Sequence, residues 1–137
     1  MAEPLVDAMF DVVDRSQLSV SMLIKGAGSE YMSSLRVLSP LQDVSSHVLE
    51  LLWTNCARPC PQLIQRIGLR SPFEGCARLA KIALLRSLNE MQNDLEATLL
   101  REINMLGIGP MGLGGDTTAL HVFVGQAPCS RRRFPLR

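Results

Sequence analysis

Leu106-Gly107-Ile108-Gly109-Pro110-Met111-Gly112-Leu113-Gly114-Gly115-Asp116-Thr117-Thr118-Ala119-Leu120 is the stretch whose flanks set the fold class. Before it, Leu95, Leu99, Ile103 and Leu106 recur at helical spacing. Asn93, with Glu96 three residues on, supplies a capping box, so the spacing predicts a helix that starts at Asn93 and stops at Gly107. After it, Leu120, Val122 and Val124 alternate with His121 and Phe123, the period of a strand. Five of the nine residues in 107–115 are glycine, half of the 10 in the chain. The letters Gly107-x-Gly109-x-x-Gly112 match a dinucleotide-binding string, but that fingerprint follows a strand and opens a helix, the reverse of the order here. The Gly114-Gly115-Asp116-Thr117 run lacks the lysine of a phosphate-binding P-loop. Two readings of the loop stay open: a glycine-lined site for an anion or carboxylate, and a turn whose backbone requires positive φ.

Working outward, Ser71-Pro72-Phe73-Glu74 reads as a capping box with proline at the first helical position, predicting a helix that reaches Leu88. Leu63, Ile64 and Ile67 predict a short strand. Ser39-Pro40 opens a helix with Leu41, Val44, Val48, Leu51 and Leu52 on one face. That helix must stop near Ala57, because Pro59 and Pro61 disfavour helical geometry on either side of Cys60. Residues 33–38 read as a second short strand. Leu18, Val20, Met22 and Ile24 alternate with Ser19, Ser21 and Leu23 as a strand that runs into Lys25-Gly26-Ala27-Gly28-Ser29-Glu30. Leu5, Ala8, Met9, Val12 and Val13 predict a short helix over 4–14. There is no internal repeat, so residues 1–137 read as one α+β unit of mixed helices and short strands. Residues 126–137, which show no periodicity, form a divergent terminal segment.

The composition narrows the class. Of 137 residues, 47% are hydrophobic and 20% charged, enough apolar mass for a core and too much for extended disorder. No apolar run approaches the ~20 residues of a membrane span. Glu3 and Asp7 stand where a secretory leader carries basic residues, so a cytoplasmic protein is expected, with no membrane partner. The net charge of +1 lacks the basic footprint of a general nucleic-acid binder. Only Lys25 and Lys81 among the 14 basic residues are lysines, and Arg131, Arg132, Arg133 and Arg137 crowd the C-terminus as a solvated run. The cysteines Cys56, Cys60, Cys76 and Cys129 are too few for a disulfide scaffold, which leaves thiols or ligands.

Among the chemistry-bearing residues, Cys60 stands out. Prolines on both sides remove donors and stiffen the backbone, which suits a fixed, reachable thiolate such as an iron–sulfur ligand, although an isolated cysteine is more often a small buried hydrophobe. The spacing Cys56-x3-Cys60-x15-Cys76 matches neither zinc nor ferredoxin patterns. Cys76 is expected in the core, His47 on a solvated helix face, and His121 in a structural role. No Ser/His/Asp or Cys/His nucleophile arrangement is present in the pattern.

Leu23-Ile24-Lys25-Gly26-Ala27-Gly28-Ser29-Glu30, Pro59-Cys60-Pro61, Ala83-Leu84-Leu85-Arg86, the loop from Leu106 to Gly115 and Thr117-Thr118-Ala119-Leu120 occur in an order that resembles the iron–sulfur hydro-lyases. These are class I fumarate hydratase and the alpha subunit of L-tartrate dehydratase, and the similarity spans roughly residues 15–125. The resemblance implies a fragment of a class I fumarase alpha-type domain, truncated at both ends. It implies a hydro-lyase that adds or removes water on a dicarboxylate (fumarate/malate or tartrate). The chemistry comes from a [4Fe-4S] cluster held by three cysteines, whose open iron acts as Lewis acid while a base moves the neighbouring proton.

Carried over by position, Cys60 matches the second cluster cysteine. Gly26, Ala27 and Gly28 match the glycine turn whose backbone N–H groups approach substrate. No residue of this chain matches a catalytic base. A beta-type subunit or domain and a homo-oligomer are the implied partners.

Several residues depart from the family pattern. Asp116 replaces the lysine of Gly-Gly-Lys-Thr, a charge inversion that weakens carboxylate binding. Ile64-Gln65-Arg66-Ile67-Gly68-Leu69-Arg70-Ser71 replaces a glycine-rich run, and Ser130 stands about where a substrate-contacting histidine is expected. Cys129 lies too early for the third ligand. One matched thiolate cannot hold a cubane cluster, so the chain alone is expected to bind no stable cluster and to be inactive. Two alternatives accompany this expectation: a non-catalytic interaction domain that keeps the fold without the cluster, and a module that binds small anions at residues 107–115.

Overall fold

A computed structural model describes residues 8, 10–12, 14, 16–24, 28, 31–39, 41–55, 58 and 63–127. Its elements run α1 (Val44–Asn55), β1 (Leu63–Leu69), α2 (Phe73–Ala83), α3 (Asp94–Met105), a 3-10 turn (Pro110–Gly112) and β2 (Ala119–Gln126). The architecture is α+β, as the sequence implies.

β1 and β2 pair in parallel, from Ile64 opposite His121 to Leu69 opposite Gln126, with a register shift between Leu63 and Ile64. Parallel pairing needs a long crossover, and α2 and α3 supply it, one against each face. On one face, Leu63, Ile67, Leu69, Val122 and Val124 meet Leu99 and Ile103 of α3 and Val48 and Leu52 of α1. Leu99, Ile103 and Val122 are wholly buried, each worth about 1.5–3 kcal/mol of removed apolar surface.

α2 lies against the opposite face, where two glycines face each other across the strands. Gly68 is the register partner of Gly125. A Cβ on Gly68 would sit 1.9 Å from the Cys76 carbonyl oxygen, and one on Gly125 2.9 Å from that of Leu79. The paired glycines therefore let the α2 backbone rest directly on the sheet.

The outer edge of β2 is closed by side chains. Glu96 accepts from the Val124 N–H at 2.7 Å, and Gln92 Nε2 donates to the Val122 carbonyl at 3.3 Å. These groups stand in for a third strand and remove the pairing template that an open edge presents.

Several expectations require correction. Residues 18–24 and 33–38 belong to no strand, and Leu18, Val20, Met22 and Ile24 are exposed. Alternation marks the two faces of a strand but supplies no partner. The described residues within 4–14 are not helical, and the rest of that predicted helix lies outside the described residues. α1 begins at Val44, with Leu41 fully exposed, because Asp43 Oδ2 accepts from Ser46 N at 2.9 Å and acts as the cap. The Ser71 capping box does not form: Pro72 holds the cap position with no side-chain bond, and α2 ends at Ala83, short of Leu88. The Asn93 box does form, with Glu96 N donating to Asn93 Oδ1 and Asn93 N to Glu96 Oε2, each at 2.9 Å. Among the described residues no helix is long and apolar enough to cross a membrane.

Candidate functional site

The glycine-rich loop hangs between the end of α3 and the start of β2, and one residue ties the two together. Asn104 Oδ1 accepts from Thr118 N at 2.8 Å and Ala119 N at 2.9 Å, while its Nδ2 donates to the Ala119 carbonyl at 3.1 Å. Thr118, 6% exposed, accepts from Gly109 N through Oγ1 at 3.1 Å. Thr118 lies inside the motif read from the sequence, whereas Asn104 lies just outside it. The signal for Asn104 was a polar residue one turn before a helix-ending glycine.

All five loop glycines have positive φ: Gly107 (66°), Gly109 (67°), Gly112 (74°), Gly114 (86°) and Gly115 (129°). Gly109 is the most constrained, since its Cβ would lie 2.1 Å from the Gly114 carbonyl oxygen. The loop uses its own donors: Gly112 N bonds Gly109 O, Leu113 N bonds Pro110 O, and Gly114 N bonds Ile108 O at 2.8 Å. Together with Gly109 N these are four N–H groups turned inward. Of the two open readings, the positive-φ turn accounts for the glycines, and the self-bonded backbone weighs against an anion cradle. Beside the loop, a shallow cleft of about 550 Å³ is lined by Gln92, Leu100, Arg101, Asn104, Gly107 and Asp116, with Ala97 and Met105. Arg101 and Asp116 give it both signs of charge.

Behind the edge of β2 sits an ion pair. Glu96 is fully buried and lies 2.6 Å from Arg86 Nη1, and Arg86 Nε also meets Glu90 at 2.7 Å. Burial pushes the Glu96 carboxyl up, but the N–H groups of Val124 and Asn93 and the Arg86 guanidinium outweigh it and hold the group below its ordinary value. The Arg86 guanidinium stacks over Phe123 with its carbon 4.6 Å from the ring centroid, and His121 stacks on the same ring at 4.2 Å.

Cys60, Gly26 and Ala27 lie outside the described residues, as do Cys56 and Cys129. Gly28 is exposed, and a Cβ added to it would meet nothing within 4 Å. Cys76, expected in the core, is half-buried, and its Sγ faces the Ser71 carbonyl at 3.2 Å. His47 is more shielded than a solvated face implies, with Arg36 Nη1 3.2 Å and Glu50 Oε2 3.7 Å from its Nδ1. His121 has the structural role expected of it, stacked on Phe123 and facing Gln92. Among the described residues no group of three or more His, Cys, Asp or Glu side chains is placed to hold a metal ion.

The profile of the family described as Fumarate hydratase (Fumerase) matches residues 4–136. The chain belongs to this family. Within it, a putative L(+)-tartrate dehydratase subunit alpha of Methanocaldococcus jannaschii is 39% identical over 141 residues, covering 97% of this chain and 50% of the relative. The L(+)-tartrate dehydratase subunit alpha of Escherichia coli K12 is 28% identical over 127 residues, covering 86% of this chain and 42% of the relative. This fumerase-family chain thus spans about half the length of the curated relatives it matches.

Proposed function

We propose that this chain is part of an iron–sulfur hydro-lyase that adds or removes water on a dicarboxylate, fumarate/malate or tartrate. It works in the cytoplasm with a beta-type subunit or domain, as a homo-oligomer. The observation that carries this reading is the family match along nearly the whole chain, residues 4–136. The helix–glycine loop–strand unit locked by Asn104 lies inside that match. In this reading residues 1–137 are one partial domain and 126–137 its divergent end. Cys60 is a cluster ligand, and Gly26, Ala27 and Gly28 bring backbone N–H groups to a substrate carboxylate.

The described residues do not by themselves fit a [4Fe-4S] cluster. Such a cluster needs a set of thiolates. Cys76, the one described cysteine, is turned to a backbone carbonyl within its own segment. In this reading the remaining ligands and the base lie outside residues 1–137, and these residues alone are inactive. Asp116 disfavours a dianion on the cleft side of the loop.

The test is a chimera in which this chain replaces the matched region of the Methanocaldococcus jannaschii relative, produced anaerobically with a beta-type subunit. Dehydration of L-tartrate or hydration of fumarate is expected, abolished by Cys60→Ala and retained in Cys76→Ala. A folded chimera with neither activity, even after Asp116→Lys, would overturn the hydro-lyase reading. It would favour the second one, a non-catalytic interaction domain. The observation on that side is the exposed apolar series Leu18, Val20, Met22 and Ile24, each at least 77% accessible.

A further inference from the structure

β1 lacks the closure that β2 has. Ala127 N donates to the Leu69 carbonyl at 3.3 Å, and Leu69 is the register partner of Gln126. Alternate residues of a parallel strand bond to the same neighbour, so Gln65, Ile67 and Leu69 turn their backbone groups to β2, while Ile64, Arg66 and Gly68 turn theirs away. Among the described residues β1 has no second neighbouring strand. The one group that meets this outer edge is the side chain of Arg66 itself, whose Nη1 reaches back to the Ile64 carbonyl at 3.2 Å. Every residue of β1 is only part-buried, whereas Val122, Phe123 and Val124 of β2 are buried. An edge left in this state is a template for another strand.

The same chain carries a strand pattern without an edge. Leu18, Val20, Met22 and Ile24 alternate with Ser19, Ser21 and Leu23, every residue of 18–24 is exposed, and the segment matches the 7-residue length of β1. Its point of departure is held upstream, where Asp11 is ion-paired with Arg78 of α2. Residues 18–24 thus leave their own domain as an arm, a few residues beyond the helix that covers one face of β1, and do not occupy the β1 edge of their own chain.

We infer that two copies of this chain pair by exchanging these arms, residues 18–24 of each lying along the outer edge of β1 in the other. Ile64, Arg66 and Gly68 supply the ladder donors and acceptors. Leu18, Val20, Met22 and Ile24 then continue the apolar face of Leu63, Ile67 and Leu69, and Ser19 and Ser21 fall on the α2 side with Arg66. A second copy is the occupant that fits, because each chain holds one arm and one edge, and a two-fold arrangement satisfies both at once. This exchange gives the homo-oligomer proposed above its contact and rests on that reading only there. It is read through association without activity, so its failure leaves the hydro-lyase reading standing.

The test uses the full 137-residue chain. Light scattering over a dilution series should show a concentration-dependent dimer. Isotope-filtered NOEs in a mixture of labelled and unlabelled chains should connect Val20 and Met22 of one copy to residues 64–68 of the other. Arg66→Pro removes the outward N–H and leaves the ladder to β2 intact, so it should weaken dimerisation about tenfold or more. Arg66→Gln, which keeps that N–H, should retain the dimer. Val20→Pro, in a segment that is exposed throughout, should weaken it to a similar extent and carries the comparison if Arg66→Pro fails to fold. Leu41→Ser, at another exposed apolar site, should leave it unchanged. A monomer throughout the series, NOEs confined within one chain, equal loss in the Leu41 variant, or a dimer that survives Val20→Pro would overturn the exchange.

Discussion

Replacing Glu96 by alanine removes three hydrogen bonds at once, and their setting gives the size of the loss. Val124 N, which Glu96 serves at 2.7 Å, lies on a buried strand, and leaving it unpaired costs about 1–3 kcal/mol. Asn93 N loses the return half of the capping box, worth about 0.5–1 kcal/mol. Arg86 loses its 2.6 Å partner but keeps Glu90, and its side chain is 29% exposed, so water softens this last loss. The expected destabilisation is about 2–5 kcal/mol, a large share of the ~5–15 kcal/mol typical of a domain. Urea unfolding followed by far-UV circular dichroism measures it, with the slope checking that both variants expose similar surface. Glu96→Gln, which still offers an oxygen to Val124 N, should lose less. Coupling to Arg86→Met in a double-mutant cycle isolates the ion pair. A Glu96→Ala loss below about 1 kcal/mol would refute the reasoning, because that is the range of an exposed pair.

Arg70 holds a φ of 60° between β1 and α2. Arg70→Gly should therefore raise stability by about 0.5–1 kcal/mol, and a lower melting temperature would contradict this. Gly109→Ala should cost more than about 2 kcal/mol, because both φ and the Gly114 carbonyl forbid a Cβ. Gly107→Ala, with the same sign of φ but open space around it, should cost about 1 kcal/mol, and denaturant midpoints of the pair check the contrast. The folded-state pKa of Glu96 is lowered, so the folded chain holds this proton less readily than the unfolded one. Its contribution to stability is therefore present above the ordinary value of 4.5 and fades as pH falls through that range and below. Thermal melts across acidic pH should show this decline, and Glu96→Gln should flatten it.

The elements legible in the sequence were those whose signals are local. Asn93 and Glu96 announced the start of α3, Gly107 its end, and Pro59 the limit of α1 before the chain turned to β1. The same Glu96 shows where local reading stops. Its spacing disclosed a capping box, yet its other oxygen reaches Val124, 28 residues on, and closes the edge of β2. Alternation in β2 marked Val122 and Val124 as the buried face. Phe123 is buried too, because helices cover both faces of a parallel pair. Ser71 looked like a cap but yielded the position to Pro72, and the strand pattern of residues 18–24 could not say with what it would pair. At the site, the glycine count left a positive-φ turn open beside an anion cradle, while the Asn104 lock depends on two segments meeting, which a polar residue before Gly107 does not by itself disclose.

In the function proposed above, Cys60 is one thiolate of a [4Fe-4S] cluster whose other ligands lie outside these 137 residues. Anaerobic reconstitution of the isolated 137-residue chain with ferrous iron and sulfide, read as iron per chain and turnover of fumarate and L-tartrate, tests it most directly. Iron well below one cluster per chain and no turnover are expected. A stoichiometric cluster with hydro-lyase activity in the isolated chain would contradict this proposal.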